Sequence, residues 1–297
     1  MQTFIDEEKN PLFSCRLCPR NCGINRYEKK GFCLAGSEMI LSKIDFHKWE
    51  EPCICRGKGV GAFFFSGCSL HCCFCQNNAI SSVLKGDVYS EDELAEKILE
   101  MQENGASAID FVTPTHFSYQ IAKTLEKVKY KLDIPVVWNC GGYEKTETIE
   151  MLSGLVDVYM PDFKYFSNET AKNYSNAEDY PEVAKKSLKC MVNQIGELLF
   201  DNDVLKKGVI VRHLVLPKHR HESIALMNWL GENFTEKQVI ISLMSQYTPV
   251  VHTDFKELSR HITKMEYNSV VDALAKYDFN GYIQSIDSAK TDYIPDF

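Results

Sequence analysis

From residue 61 onward the chain alternates short apolar runs with longer amphipathic stretches. The runs are GAFFFSG (61–67), AIDFVTP (108–114), IPVVWNCG (134–141), VDVYMPDFK (156–164), GVIVRHLVLP (208–217) and QVIISLMSQY (238–247). They are rich in valine, isoleucine and aromatics, as strands buried on both faces should be. Between them lie predicted helices at 90–104, 117–131, 145–153, 181–194 and 221–233, with another at 255–277. The first opens on Ser90 with Glu93 three residues later, a pair that caps reciprocally. GYIQ (281–284) reads as a last short strand, and ELLFDNDVLKKG (197–208) as a polar hairpin ahead of the fifth run. Six strand–helix units predict a parallel α/β fold. Periodicity fits a barrel, a partial barrel and an open doubly wound sheet equally.

Residues 1–55 look different. They hold Cys15, Cys18, Cys22, Cys33, Cys53 and Cys55 and no long periodic segment. We read them as a small Cys-rich, metal-binding lobe, and 56–297 as the α/β domain, entered through RGKGVGA (56–62).

Composition narrows the function classes. A net charge of −8 argues against general affinity for nucleic acid or anionic membrane. No apolar stretch reaches the ~18 residues that a spanning helix needs. The opening MQTFIDEEKN lacks the basic start and apolar run of a secretory signal, so a cytoplasmic location is expected. Reduced thiols in that compartment bind metal more often than they pair, and ten of the twelve cysteines fall between Cys15 and Cys75.

The strongest chemical signal is GCSLHCCFCQN (67–77). Cys68, Cys72 and Cys75 are spaced C-x3-C-x2-C directly after the first predicted strand. That puts them on a loop at the carboxyl end of the sheet, where α/β folds build their sites. Three such thiolates suit an iron–sulfur cluster, and in a 4Fe–4S cubane they leave one iron open to a ligand. A zinc site or buried thiols is the plainer alternative, but a fourth nearby cysteine is missing, and Cys73 is read as a bystander. Cys15, Cys18, Cys22 and Cys33 form C-x2-C-x3-C-x10-C, which can close a structural zinc site or hold an auxiliary iron–sulfur cluster. Cys53 or Cys55 could replace one of these ligands. Trp49, Trp138 and Trp229 are read as core, and His47 and His213 as structural.

The pattern C-x3-C-x-aromatic-C after a first strand, with Phe74 in the aromatic place, resembles the signature of radical S-adenosylmethionine (SAM) enzymes. FVTPTHF, WNCGGYE, VDVYMPDFKY, VRHLVLP, MSQYTP and GYIQ extend the likeness to the PflX-like branch, akin to pyruvate formate-lyase activating enzymes. The resemblance covers nearly the whole chain. It implies a partial (β/α)6 TIM-like barrel in which SAM chelates the open iron and is cleaved to a 5′-deoxyadenosyl radical. It implies a flavodoxin or ferredoxin as reductant and a glycine of a glycyl radical enzyme as substrate. A small molecule, a peptide or RNA is the alternative substrate, and a non-catalytic electron-transfer or sensor protein the alternative class.

Residue by residue, the resemblance places Thr113 and Thr115 where the SAM amino group is met, although this chain lacks the usual Gly-Gly-Glu segment there. It places Asn139 near the ribose or methionine moiety, and Asp162 and Lys164 as an Asp-x-Lys pair on one strand face. Arg212 falls near the SAM carboxylate, and Gln246 and Tyr247 near the adenosine. The plainer readings are a buried ion pair for Asp162 and Lys164 and a strand-end salt bridge for Arg212. The basic run Lys218–His221 could touch an anionic substrate, or simply be solvated.

Overall fold

The computed structural model of the protein describes residues 10–286 and 297. In chain order the elements begin with β1 (Met39–His47), β2 (Val60–Phe65), α1 (Asn78–Ser81), β3 (Asp87–Tyr89), α2 (Glu91–Glu103) and β4 (Ile109–Val112). There follow α3 (Ser118–Val128), β5 (Val136–Cys140), α4 (Thr146–Met151), β6 (Val158–Pro161), α5 (Asn168–Ser175) and α6 (Tyr180–Ile195). The chain closes with β7 (Leu199–Asp201), β8 (Val204–Leu214), α7 (Arg220–Asn233), β9 (Ile240–Met244), α8 (Lys264–Leu274) and β10 (Gly281–Ile283).

The six apolar runs become β2, β4, β5, β6, β8 and β9, side by side and parallel, with β10 parallel at one edge. At the other edge β1 runs antiparallel to β2, and β3 antiparallel to β1. The result is an α/β fold with a mostly parallel sheet whose two edge strands, β10 and β3, are not neighbours. The capping box at Ser90 and Glu93 forms as expected. The polar insertion is the hairpin of β7 and β8, turning at Asn202 and Asp203, both with positive φ, as a tight twisted turn requires.

Two expectations change. Residues 39–47 form a nine-residue strand paired along β2, so this part of the amino-terminal segment joins the sheet. Its buried and half-buried positions do not alternate cleanly, which hid it from a periodicity reading. The region 255–277 is not one helix. A 3₁₀ turn, Lys256–Ser259, precedes α8, because Thr263 and Glu266 cap a fresh start and Arg260 binds Glu266.

Strand alternation divides the core in two. One face packs Phe63, Phe65, Phe111, Trp138 and Tyr159 against the helices. The opposite face carries Val60, Ala62, Ala108, Val137, Val158, Ile210 and Ile240. Cys53 and Ile54, from the β1–β2 connection, join this second cluster, and Leu205 N donates to Cys53 O. That connection therefore plugs the amino-terminal end of the parallel strands, because His47 pairs with Val60 at the start of β2. The carboxyl ends are left to form a cavity.

Candidate active site

Cys68, Cys72 and Cys75 lie on the loop between β2 and α1, and all three line one cavity of about 420 Å³. Each sulfur receives a hydrogen bond: Cys68 from Leu70 N at 3.3 Å, Cys72 from Ser175 Oγ at 2.9 Å and Cys75 from Ser81 Oγ at 3.3 Å. Such donors favour sulfur carrying negative charge. Burial, reinforced by the neighbouring Cys72 and Cys75, pushes the Cys68 thiol up to about 12, and burial raises Cys75 too. Cys68 and Cys75 therefore resist ionising unless a cation takes them, and the three neighbouring sulfurs together are the donor set an iron–sulfur cluster needs. A cubane spreads its thiolates over separate irons, so they need not meet at one point. Indeed, among the described residues no group of three or more His, Cys, Asp or Glu is placed to hold a single metal ion. Cys73 is not among the lining residues: its amide donates to Tyr174 O, and its thiol, pushed up to about 12 by burial, lies near Tyr247.

The amino-terminal segment grips this loop. Arg20 Nε donates to Ser69 O at 2.8 Å and its Nη2 to Ser175 O at 2.9 Å, while its guanidinium lies over Phe32 at 3.9 Å. His71 Nε2 meets Phe32 O at 3.0 Å. Gly67 has φ +86°, and a Cβ there would stand 2.3 Å from Cys33 O, so only glycine fits where segment and loop touch. Cys15, Cys18, Cys22 and Cys33 gather in this segment. Their thiols are electrostatic neighbours, and burial lifts Cys18 and Cys33 above the ordinary range. Cys53 and Cys55 lie at the far, amino-terminal end of the strands and are not part of that group.

Across the cavity stands a polar network. Lys164 Nζ reaches Asp162 Oδ2 at 2.6 Å. Burial works against the Lys164 charge, but Asp162 and then Cys72 outweigh it and hold its pKa above the usual value. Burial likewise opposes ionised Asp162, yet Lys164 and Arg212 keep its carboxyl below the usual range. Arg212 spends its fork on protein acceptors: Nε on Asp162 at 3.2 Å, Nη1 on Glu50 at 3.1 Å and Nη2 on Asn139 Oδ1. Asn139 in turn donates to Asp110 at 3.3 Å and Glu50 at 3.4 Å.

The structure brings Phe74, Thr113, Asn139, Asp162, Lys164, Arg212 and Gln246 to the cavity wall with the three cysteines. Thr113 sits there with φ +59°. Phe74 is buried edge-on among Tyr165, Tyr174 and Tyr247. Gln246 accepts from Gln284 at 2.9 Å. Thr115 is not among the lining residues. It is buried and its hydroxyl donates to Glu144 at 2.6 Å, because the 3₁₀ turn Thr115–Phe117 rotates it behind the sheet. Trp49 is 61% exposed and lines the cavity, not the core. His213 is structural, between Phe163 O and Ser223 Oγ. The run Lys218–His221 opens α7 away from the cavity, with His219 against Tyr174 and Glu222. Sequence reasoning missed Glu50, Glu51 and Asp110. The one available signal was a carboxylate, Asp110, in the middle of a buried apolar run.

Residues 63–224 match the family described as the Radical SAM superfamily. The chain is 29% identical over 287 residues to the uncharacterized protein MJ0674 of Methanocaldococcus jannaschii, covering 93% of this chain and 78% of that one. A spore photoproduct lyase mutant superposes with a TM-score of 0.51 at 12% identity, over 82% of this chain and 79% of that one. SuiB of Streptococcus suis, in a structure bound to S-adenosylmethionine, superposes with a TM-score of 0.50 at 12% identity, over 73% of this chain. The chain spans about half the length of SuiB, 48%. At such identities the likeness is one of fold.

Proposed function

The chain belongs to the radical SAM superfamily, and from that premise we propose that it cleaves SAM reductively and takes a hydrogen atom from a substrate. A 4Fe–4S cluster and SAM, when bound, supply the chemistry: one electron splits the sulfonium into methionine and a 5′-deoxyadenosyl radical. The observation that carries this reading is the placement of three sulfur-donating loop residues and an Asp–Lys pair around one cavity at the carboxyl end of a parallel sheet.

In this reading Cys68, Cys72 and Cys75 hold the cluster. Lys164, fixed by Asp162 beside Cys72, receives the SAM carboxylate by a charge-assisted bond. Arg212 is a positioning residue, since its donors already tie β5, β6 and the β1–β2 connection together. Asn139 and the backbone at Thr113 meet the methionine and ribose, while Gln246 borders the adenine. Phe74, Leu70 and Tyr247 form the apolar wall that keeps water from a radical. We read the sheet as a partial (β/α)6 barrel, because the plugging connection reaches from β1 to β10 through Cys53 and Tyr282. We assign Cys15, Cys18, Cys22 and Cys33 a metal clip, a second cluster or a zinc ion about which the four thiols would have to draw closer than they stand here, and a flavodoxin or ferredoxin as donor. Among the described residues no helix is long and apolar enough to cross a membrane, which accords with work in the reducing cytoplasm. A glycyl-radical-enzyme activase of the PflX-like kind rests on the resemblance alone, for no feature of the cavity selects a protein glycine.

The test is anaerobic reconstitution followed by iron and sulfide counts and paramagnetic resonance of the reduced protein. SAM should change the cluster signal, and Cys68→Ala should remove it. About four irons per chain would leave zinc in the clip and about eight would make it a second cluster. A reduced cluster indifferent to SAM would overturn the reading.

A further inference from the structure

The cavity holds more carboxyl groups than its cations can pair, and burial pushes two of them, Asp110 and Glu51, upward toward the neutral form. Among the described residues, Glu50, Glu51, Asp110 and Asp162 converge on Arg212 and Lys164. Four carboxyl groups thus face two cations. Asp162 takes both cations and Glu50 takes Arg212. Asp110 receives only the Asn139 amide, and its Oδ1 has no partner. Glu51 is 8% exposed, lines the cavity, and its Oε2 is buried with no partner. Leaving a buried carboxyl oxygen unsatisfied is costly, and on the cavity wall a ligand donor would satisfy it.

The surplus begins on the amino-terminal side of the sheet, away from the cysteine loop in chain position. Glu50 and Glu51 follow β1, whose end pairs with the beginning of β2, whereas Cys68 follows the end of β2. The Glu50 side chain reaches back toward the cluster side: it bonds Arg212 and Asn139, and Arg212 bonds Asp162, the partner of Lys164. Around the two glutamates the cavity presents Trp49 and Tyr282, aromatic faces that accept a cation.

We propose that the substrate carries a cationic nitrogen, an amine or a guanidinium, that seats against Glu51 on the cavity wall. The proposal deepens the radical SAM reading and rests on it for the word substrate, but the binding claim stands by itself. Arg212 and Glu50 frame the seat, and the hydrogen atom removed belongs to a carbon between the cation and SAM.

The test titrates the cluster-loaded, SAM-bound protein anaerobically with putrescine and agmatine, with 1,4-butanediol as the uncharged counterpart, and with a lysine-bearing pentapeptide. At least one cationic probe should bind while butanediol does not. Glu51→Gln should weaken that binding tenfold or more, and Glu51→Asp, which keeps the charge, should weaken it less. Tighter binding of the peptide than of the free amines also supports the cation and assigns it to a polypeptide. The proposal is overturned if no cationic probe binds, if Glu51→Gln binds as the natural protein does, or if the aspartate variant loses as much as the glutamine one. Assaying 5′-deoxyadenosine in the same preparation separates the two claims. Amine binding without SAM cleavage keeps the seat and sinks the enzyme class, and cleavage without amine binding does the reverse.

Discussion

In the proposed reading, Lys164 is the residue on which SAM recognition would turn. Its side chain is half-buried, its ammonium is held at 2.6 Å by Asp162, and Cys72 is among its electrostatic neighbours. A hydrogen bond to a charged partner contributes about 1.5–3 kcal/mol. Lys164→Met should therefore weaken SAM binding roughly 10- to 100-fold while cluster content stays unchanged; unchanged affinity would remove Lys164 from the SAM site. Glu144 makes a separate, pH-dependent statement. Burial raises its carboxyl from 4.5 to about 7. Because the folded value lies above the unfolded one, its contribution to stability is complete below about pH 4.5 and is lost as pH rises through 7. Glu144→Gln should thus gain on the natural protein between pH 5 and pH 8 in urea unfolding, by an amount on the order of 3 kcal/mol. A difference independent of pH would place the charge elsewhere. At this scale the cysteines, the Asp–Lys pair and Asn139 were legible, because each stands at the end of a recognisable apolar run. Glu50 and Glu51 were not, since nothing in an exposed-looking EEP segment signals that the chain folds back beneath the sheet.

Among the elements, the loop after β2 is a part held from outside. Arg20 joins Ser69 to the end of α5, and Gly67 lets the carbonyl of Cys33 approach. Gly67→Ala forces a Cβ to within 2.3 Å of backbone and imposes φ +86° on alanine. It should lower thermal stability and cluster loading together, by calorimetry and iron count; normal loading would show that the loop is free of the amino-terminal segment. The parallel strands were legible element by element from their apolar runs. β1 was not, because burial along it is irregular, and α5 was not, because its eight residues carry too few apolar positions to register. The split before α8 is decided by side-chain capping, which acts more locally than hydrophobic period.

For the whole molecule, the parallel sheet is plugged at its amino-terminal end by the β1–β2 connection and overlaid at the cysteine loop by the amino-terminal segment. That arrangement leaves a cavity whose wall carries both the cluster-loop sulfurs and surplus carboxyl groups, joined by the network of Arg212, Asp162 and Lys164. Sequence alone pointed to the sulfurs, because their motif is local. The acidic part is assembled from β4 and the chain around residue 50, and only folding brings them together. The decisive measurement is the release of 5′-deoxyadenosine from SAM by anaerobically reconstituted, dithionite-reduced protein, with Cys68→Ala alongside. The expected result is 5′-deoxyadenosine and methionine in equal amounts from the natural protein and none from the variant. Intact SAM in the presence of a fully loaded, reduced cluster, or equal cleavage by Cys68→Ala, would contradict it.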